Sequence, residues 1–359
     1  MRTIQVSLAL TLFALLTSCV GNIATPSSSP TSTTSIPTPT PSASPSATTR
    51  SVRPFDRVVA IPIAGEQAFV AIDRERVALV EGTSVSVVDV ATGQKRDVYQ
   101  AASGWGVSLS SRGLRGDTLV LLESRIDGQR TDGRAIRIDL RANTRTTLDE
   151  WSGPFLGGGD TWNPEPPITN GTDTVWVRVT DETRPFANDV VLARGTAAPR
   201  VISTSTSPAW ADLDDGGRIA VSTLITRDDL AELVIWRDGQ VTSLGTRDSP
   251  QGGPARFVGD RLFWALSPGF VARIERGRLI TVGGATQDID LTGCSWNGAT
   301  ARHLAIACGP SASGTSTISL VDPATGTRDT IPGALNMVAG PRAAVWREGT
   351  QWWLGTLSP

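Results

Sequence analysis

Charged and aromatic side chains are concentrated in the polar stretches that separate apolar runs of this sequence. These stretches are Ser124–Arg134, Glu150–Asp160, Asp181–Asn188 and Arg247–Arg256. Arginine and carboxylate groups make strong charge-assisted hydrogen bonds, and tryptophan offers a broad face for stacking. These stretches predict a binding surface, with a solvated surface that binds nothing as the alternative. The candidate binding residues are Arg125, Asp127, Arg130, Asp160, Trp162, Glu165, Arg184 and Phe186.

Catalytic chemistry has fewer suitable residues to draw on. Carboxylates such as Asp160 and Glu165 could serve a hydrolase or lyase, since glycoside hydrolysis uses a pair of acidic side chains. His303 is the single histidine, and no serine elbow or acidic partner stands at a spacing that would build a catalytic triad around it. We therefore assign no catalytic residue and keep an enzyme that uses loop carboxylates as the alternative function.

The composition argues against several other kinds of site. One His and three Cys leave too few ligands for a Cys/His zinc site, and we expect no metal and no cofactor. The segment Asp212–Gly216 has Gly at the fifth position, where a calcium loop needs an oxygen ligand, so it predicts a hairpin turn. The formal net charge of -2 provides no general basic face, and we expect no nucleic-acid partner.

The N-terminus has the pattern of an export signal. Arg2 is followed by the apolar run Val6–Leu16, which is too short to span a bilayer as a stable helix. The run ends in Leu16-Thr17-Ser18-Cys19, which resembles the lipobox of bacterial lipoproteins. The resemblance implies that residues 1–18 are a cleaved signal peptide and that Cys19 carries acyl chains such as palmitate. These chains would anchor the protein to the extracytoplasmic side of the cell membrane. An ordinary signal peptide with a chance Cys is the alternative.

Residues 19–53 are expected to form a flexible stalk. Between Thr25 and Ser51 nearly every residue is Ser, Thr or Pro, so the segment has almost nothing to bury and cannot offset the entropy of ordering. Repeated Pro favours extended conformations of about 3.1 Å per residue, so the stalk can hold the folded part up to roughly 80 Å from the membrane. Glycosylation of its Thr residues is left open.

Two cysteines remain once Cys19 is assigned to lipid. Cys294 and Cys308 lie in short β-like runs separated by Asn297-Gly298 and a few polar residues. An antiparallel hairpin would bring them opposite each other, and an oxidising compartment favours a disulfide. Metal binding is the weaker alternative, because two thiolates without His partners make a poor site.

From residue 54 to residue 359 the sequence predicts one all-β domain. Short runs of Val, Ile, Leu, Thr and Trp alternate with turns, and the spacing of an amphipathic helix does not occur over any long segment. The turns recur at about forty to fifty residues, the length of a propeller blade. They are Ala91-Thr92-Gly93, Ala142-Asn143, Gly195-Thr196, Asp238-Gly239, Arg276-Gly277 and Ala324-Thr325-Gly326.

The repeat leaves one piece of chain over at each end of the domain. Val338–Leu357 can supply about three strands, and Arg57–Ile63 can supply a fourth, outer strand. Joining the two pieces would close a ring and hide the sheet edges that invite aggregation. We therefore expect a seven-bladed β-propeller closed by an N-terminal strand, with six blades as the alternative.

One segment carries a family resemblance. Pro208–Val221 contains Pro-x-Trp, a turn rich in Asp and Gly, and an apolar run, and it resembles the repeat of TolB-type propellers; Cys294–Gly298 is a looser version. The resemblance implies association with proteins of the cell envelope. We therefore expect a lipoprotein whose propeller is a binding or scaffold module for a protein or a cell-envelope glycan. The alternative is a hydrolase or lyase of the envelope.

Overall fold

The computed structural model describes residues 49–63, 70–128, 130–154, 165–180, 187–224, 231–247, 252–266, 276–309 and 317–357. The predicted signal peptide, Cys19 and most of the predicted stalk lie outside these ranges. Residues 49–357 belong to one compact unit, Ser44–Pro359. Within the described ranges the regular structure is β-strand, and no helix there is long and apolar enough to span a bilayer.

Most of the described chain forms small antiparallel sheets in which consecutive strands pair. Sheet 1 consists of β3 (Val70–Ile72), β4 (Arg76–Glu81), β5 (Ser84–Asp89) and β6 (Lys95–Gln100). Sheet 2 consists of β7 (Gly106–Ser108), β8 (Leu114–Arg115), β9 (Thr118–Asp127), β10 (Arg130–Asp139) and β11 (Thr144–Pro154). Sheet 3 consists of β12 (Ile168–Thr169), β13 (Asp173–Val179), β14 (Asn188–Arg194) and β15 (Arg200–Ser205). Sheet 4 consists of β16 (Ala209–Leu213), β17 (Ile219–Leu224), β18 (Ala231–Arg237) and β19 (Gln240–Arg247). Sheet 5 consists of β20 (Gly252–Val258), β21 (Arg261–Leu266), β22 (Arg276–Thr281) and β23 (Thr286–Asp290).

The remaining strands form a nine-stranded sheet with two antiparallel parts. Sheet 6 consists of β24 (Cys294–Ala299), β25 (Leu304–Cys308), β26 (Thr317–Val321) and β27 (Arg328–Ile331). Sheet 7 consists of β28 (Ala334–Ala339), β29 (Ala343–Glu348), β30 (Gln351–Thr356), β2 (Arg57–Ile61) and β1 (Thr49–Arg50). A single parallel pair, Gly298 with Ala339, joins β24 to β28.

The two ends of the domain meet in sheet 7. β2 pairs antiparallel with β30, so that Val59 lies opposite Leu354. Just before β2, the ring of Phe55 stacks on Trp346 with 5.1 Å between the ring centres. The N-terminal and C-terminal pieces left over by the repeat therefore lie side by side in one sheet.

Buried apolar side chains fill the space between consecutive sheets. Val85 and Val87 of sheet 1 pack with Leu119 and Leu121 of sheet 2, and similar clusters join each later sheet to the next. One cluster joins sheet 7 to sheet 1 and contains residues of β2. Both faces of inner strands such as β5, β14 and β21 are thus buried, which explains the continuous apolar runs in the sequence.

The turn predicted at Arg276-Gly277 is wrong, because both residues belong to β22. Each of the other five predicted turns connects the last two strands of its sheet. A Cβ atom at position 277 would lie 2.0 Å from the Phe263 ring, so Gly277 leaves room for that ring to pack across β22. The glycine that suggested a turn is required for packing.

Two other sequence predictions are confirmed. Cys294 lies opposite Cys308 in the β24–β25 pair, and the two sulfurs are bonded. The acidic segment after β16 is a hairpin turn closed by a hydrogen bond from Gly217 N to Asp214 O of 3.2 Å.

Candidate functional site

The predicted binding residues that the structure describes fall into two places. Arg125 and Asp127 lie at the end of β9, and Arg130 begins β10. Glu165 lies elsewhere, just before β12, where it meets Arg256 of β20. Asp160, Trp162, Arg184 and Phe186 lie outside the described residues.

The long hairpin β9–β10 changes from apolar to polar residues along its strands. Leu119–Leu122 are buried between sheets, whereas the residues that follow Glu123 are increasingly exposed. β9 and β10 contain ten residues each and β11 contains eleven, against six for the longest strands of sheet 1. The ends of these three strands therefore carry polar side chains in register.

Charges of opposite sign alternate across the end of sheet 2. The pairing places Arg134 between Glu123 and Glu150, and Asp132 between Arg125 and Ser152. We call this set the charge ladder. It comprises Glu123, Arg125, Asp127, Arg130, Asp132, Arg134, Glu150 and Ser152.

Hydrogen bonds fix the outer half of the charge ladder. Arg125 Nη2 lies 2.5 Å from Asp132 Oδ2, and Ser152 Oγ donates to Asp132 Oδ1 at 2.6 Å. Arg130 Nη2 donates to Ser152 Oγ at 3.0 Å. The hydrogen bond from Ser152, followed by that from Arg125, holds the pKa of the Asp132 carboxyl below its ordinary value. Asp132 is therefore a carboxylate at neutral pH.

An aromatic residue supports the inner half of the ladder. The guanidinium carbons of Arg134 and Arg125 lie 4.1 and 5.0 Å from the centre of the Trp105 ring, which is the geometry of cation–π contacts. Glu123 is buried beneath Arg134, and burial together with a hydrogen bond to Glu123 raises the pKa of Tyr99. Both arginines therefore pack on a buried aromatic ring, and Arg134 also contacts a buried carboxylate.

The opposite face of the ladder is closed by packing. Gly133 of β10 lies against Trp151 of β11, where a Cβ atom would come within 2.4 Å of the indole ring. This position accepts only glycine without a shift of the ring. This face is therefore covered near Gly133, whereas Ile126, which lies on the same face near the end of β9, is exposed.

At the beginning of β9, opposite the charge ladder, polar groups form hydrogen bonds between neighbouring sheets. Thr118 Oγ1 donates to the carbonyl of Gly171 in sheet 3 at 3.1 Å. Asn170 Nδ2 donates to the carbonyl of Asp214 in sheet 4 at 3.2 Å. Arg115 and Arg342, from sheets 2 and 7, both pair with Asp215. We call this the linked end; the charge ladder stands at the opposite end of the strands.

A short loop after β7, Ser110–Gly113, contacts the first strands of several sheets. Ser111 O accepts a hydrogen bond from Ile72 N of sheet 1 at 3.1 Å, and Arg112 O accepts one from Thr169 N of sheet 3 at 3.0 Å. We call this segment the central loop. It lies where the first strands of these sheets come together.

Arg112 extends from the central loop into a buried group of charges. Its Nη1 lies 2.8 Å from Asp212 Oδ2 of β16, and its Nη2 donates to Phe257 O of β20 at 3.0 Å. Phe257 N donates to Asp212 Oδ2 at 2.7 Å. Burial lowers the pKa of Arg112 and raises that of Asp212, although each charge favours the other.

Arg256 and Glu165 extend this group. Arg256 Nη2 donates to Glu165 Oε1 and Oε2 at 2.6 and 2.5 Å, and its Nη1 donates to Ala211 O and Ala255 O at 3.3 and 3.0 Å. Burial alone would lower the pKa of Arg256, but Glu165 and Asp212 outweigh it and raise that pKa. The central ion cluster is defined as Arg112, Asp212, Arg256 and Glu165.

Sequence reasoning found part of this arrangement. It selected Glu165 as a loop carboxylate but did not pair it with Arg256, which is 91 positions away. It did not select Arg112, because an arginine between two serines and a glycine gives no local signal. Among the described residues no group of three His, Cys, Asp or Glu side chains could hold a metal ion.

Known proteins resemble this chain in structure but not in sequence. No family model matches the chain, and no curated protein matches it in sequence. The β-propeller domain of the Trilobed protease from Pyrococcus furiosus is similar in structure, with a TM-score of 0.54, 11% identity, and coverage of 83% of this chain and 97% of that chain. A chain of the Mitotic Checkpoint Complex has a TM-score of 0.53 at 13% identity and covers 92% of this chain and 100% of that chain.

A third similar structure is that of a prolyl endopeptidase, with a TM-score of 0.53 and 14% identity. The match covers 80% of this chain and 45% of that chain, so this chain spans less than half of it. At such identities the likeness shows the fold alone. The described residues form an all-β protein of many small antiparallel sheets, as in β-propellers.

Proposed function

We propose that this protein is an extracytoplasmic lipoprotein whose seven-bladed propeller binds a protein of the cell envelope through the charge ladder. Lipid on Cys19 would anchor it, and the stalk would end at residue 48. The predicted boundary at residue 53 is corrected because Thr49–Arg50 form strand β1, which pairs with β2. The seven-bladed arrangement is supported by the apolar clusters that join successive sheets and by the cluster that joins sheet 7 to sheet 1. The pairing of β2 with β30 supports closure by the N-terminal strand.

One observation carries the binding proposal, namely the different use of polar side chains at the two ends of sheet 2 among the described residues. The linked end uses its polar groups for contacts between sheets, whereas the ladder projects exposed groups such as Arg130, Asp127 and Glu150 beyond the buried part of sheet 2. Rows of fixed alternating charges select a partner of complementary pattern and disfavour others.

A protein partner suits this surface better than a glycan. Trp105, which packs against the ladder arginines Arg125 and Arg134, is only 7% exposed and is covered by them. Stacking of a sugar would require those arginines to move, whereas charged side chains of a protein can pair with them where they stand. Glu165 does not support the alternative of a hydrolase or lyase, because its carboxylate is paired with Arg256.

The binding proposal is tested with the full-length protein in liposomes. Detergent-solubilised envelope proteins and, separately, envelope glycan fragments are applied to wild type, to Arg125→Ala/Arg130→Ala and to the control Arg141→Ala. Arg141 is exposed and lies at the opposite end of the same sheet. We expect at least a tenfold loss of captured protein for the double variant and no loss for the control. Equal capture by all three, or capture of glycan alone, would contradict the proposal.

The anchor has its own test. Mass spectrometry of the mature protein should find acylated Cys19 as the first residue. A mature N-terminus without acyl chains would remove the lipoprotein part of the proposal and leave the binding part intact.

A further inference from the structure

The strongest unassigned feature is Arg256, a mostly buried guanidinium whose carboxylate partner is supplied by a different part of the chain. Its side chain is 14% exposed, and that of Glu165 is 32% exposed. Nη1 is held by two backbone carbonyls, Ala211 O and Ala255 O. Nη2 is left to bind an acceptor from outside strand β20, and Glu165 is that acceptor. Carbonyls of β16 and β20 thus hold the guanidinium through Nη1, apart from its contact with Glu165.

The charges of the central ion cluster require a carboxylate at this place. Arg112 and Asp212 pair directly across 2.8 Å. Glu165 is the carboxylate that pairs directly with Arg256, whose charge Asp212 also favours. A buried charge without a partner is strongly destabilising. Any carboxylate that reached Nη2 of Arg256 would neutralise its charge in the same way. This site therefore favours a negatively charged group.

The segment that bears Glu165 shows which ligand fits. Glu165 is followed by Pro166 and Pro167 and then by β12, and residues 165–167 have no helix or strand. A residue before proline is held in an extended conformation. The internal occupant of the site is thus an acidic side chain on an extended peptide, and the flat face of Trp296 lies 5.8 Å from the Arg256 guanidinium carbon.

We propose that Arg256 is a docking site for an acidic residue of an extended partner peptide, and that Glu165 occupies this site as an internal ligand in the free protein. The site is separate from the charge ladder and does not depend on the ladder's function. Because Glu165 is tethered, its effective concentration at Arg256 is on the order of millimolar or more. An external peptide must therefore compete with it, and loss of the Glu165 carboxylate should strengthen peptide binding.

The chain itself provides the probe. A fluorescent peptide with the sequence of residues 160–168, and a matched peptide with Gln in place of the Glu, are titrated into full-length protein and followed by anisotropy. Glu165→Ala should bind the Glu peptide at least tenfold more tightly than wild type. Glu165→Ala should not show this tighter binding with the Gln peptide. The double variant Glu165→Ala/Arg256→Gln should not show it with the Glu peptide.

Glu165→Gln is the control for loss of structure, because it keeps the size of the side chain. It should show the same preference for the Glu peptide. Melting temperatures identify any variant that fails to fold. Equal binding of the Glu and Gln peptides by either folded single variant, or undiminished binding when Arg256 is replaced, would overturn the proposal. Neither result would bear on the ladder experiment, because that experiment changes different residues and uses different ligands.

Discussion

Arg112 and Asp212 are one hundred positions apart in the chain, yet Nη1 and Oδ2 lie 2.8 Å apart in a buried ion pair. The pair links the central loop of sheet 2 to the first strand of sheet 4. Through Phe257, which both residues contact, it also reaches sheet 5. It therefore depends on the correct arrangement of three sheets at once.

Removal of one partner should destabilise the fold strongly. Arg112→Ala leaves Asp212 buried without its cation, and we expect a loss of about 3–5 kcal/mol in the free energy of unfolding. The matched control is Arg76→Ala, which removes an exposed pair with Asp117 and should cost less than about 1 kcal/mol. Urea unfolding measures both. Similar losses for the two variants would show that the central pair does not organise the sheets.

The disulfide should stabilise the protein without being required for folding. Its two cysteines are 14 positions apart, and closing a loop of this length is worth about 3 kcal/mol in the chain-entropy model. Cys294→Ser should therefore lower the melting temperature of the oxidised protein. Wild type in a reducing agent should melt like the variant, and an unchanged melting temperature in both cases would argue against this contribution.

The N-terminal strand should be essential to the whole domain. Val58, Val59 and Ile61 of β2 are buried, and Phe55 stacks on Trp346. Deletion of residues 54–63 exposes an edge of β30 and the apolar cluster shared with sheet 1. We expect the melting temperature of the entire domain to fall. Deletion of ten residues within the predicted stalk, 30–39, is the control and should change nothing; normal melting of the first variant would refute closure by β2.

Asp215 should contribute to acid sensitivity. Burial raises its pKa, but the charge of Arg115 and the hydrogen bond from Arg342 outweigh burial and leave that pKa below its ordinary value. A carboxyl with a lowered pKa stabilises the fold above its unfolded pKa of about 3.9, and this stabilisation is lost as the pH falls through the folded pKa. Asp215→Asn should be less stable at neutral pH and should lose less stability on acidification. The exposed Asp260→Asn should follow wild type in both respects.

The sequence predicted those features that depend on neighbouring residues. The turns at Ala91-Thr92-Gly93 and Ala324-Thr325-Gly326 lie between paired strands as expected, because turn chemistry acts over a few positions. The disulfide was predictable because its hairpin is local. The misplaced turn at Gly277 arose because glycine serves close packing as well as turns, and only the position of Phe263 distinguishes the two.

The candidate site was predictable only where it belongs to a hairpin. Arg125 and Arg130 come together through the local pairing of β9 with β10. Arg112, by contrast, contacts carbonyls 145 and 187 positions away, at Phe257 and Ala299. Such contacts exist only after the sheets have assembled, and no pattern within a short window of sequence encodes them.

The central claim is that the tip of the long hairpin faces the binding partner. A photoreactive amino acid is placed at Ile126, or at Val241 on the outer strand of sheet 4, in the full-length protein in native membranes. The two native side chains are both 60% exposed, so their reactivity toward solvent is matched. We predict a discrete protein adduct from position 126 that disappears in Arg125→Ala/Arg130→Ala, and none from position 241. Equal adducts from the two positions, or none from position 126, would contradict the claim.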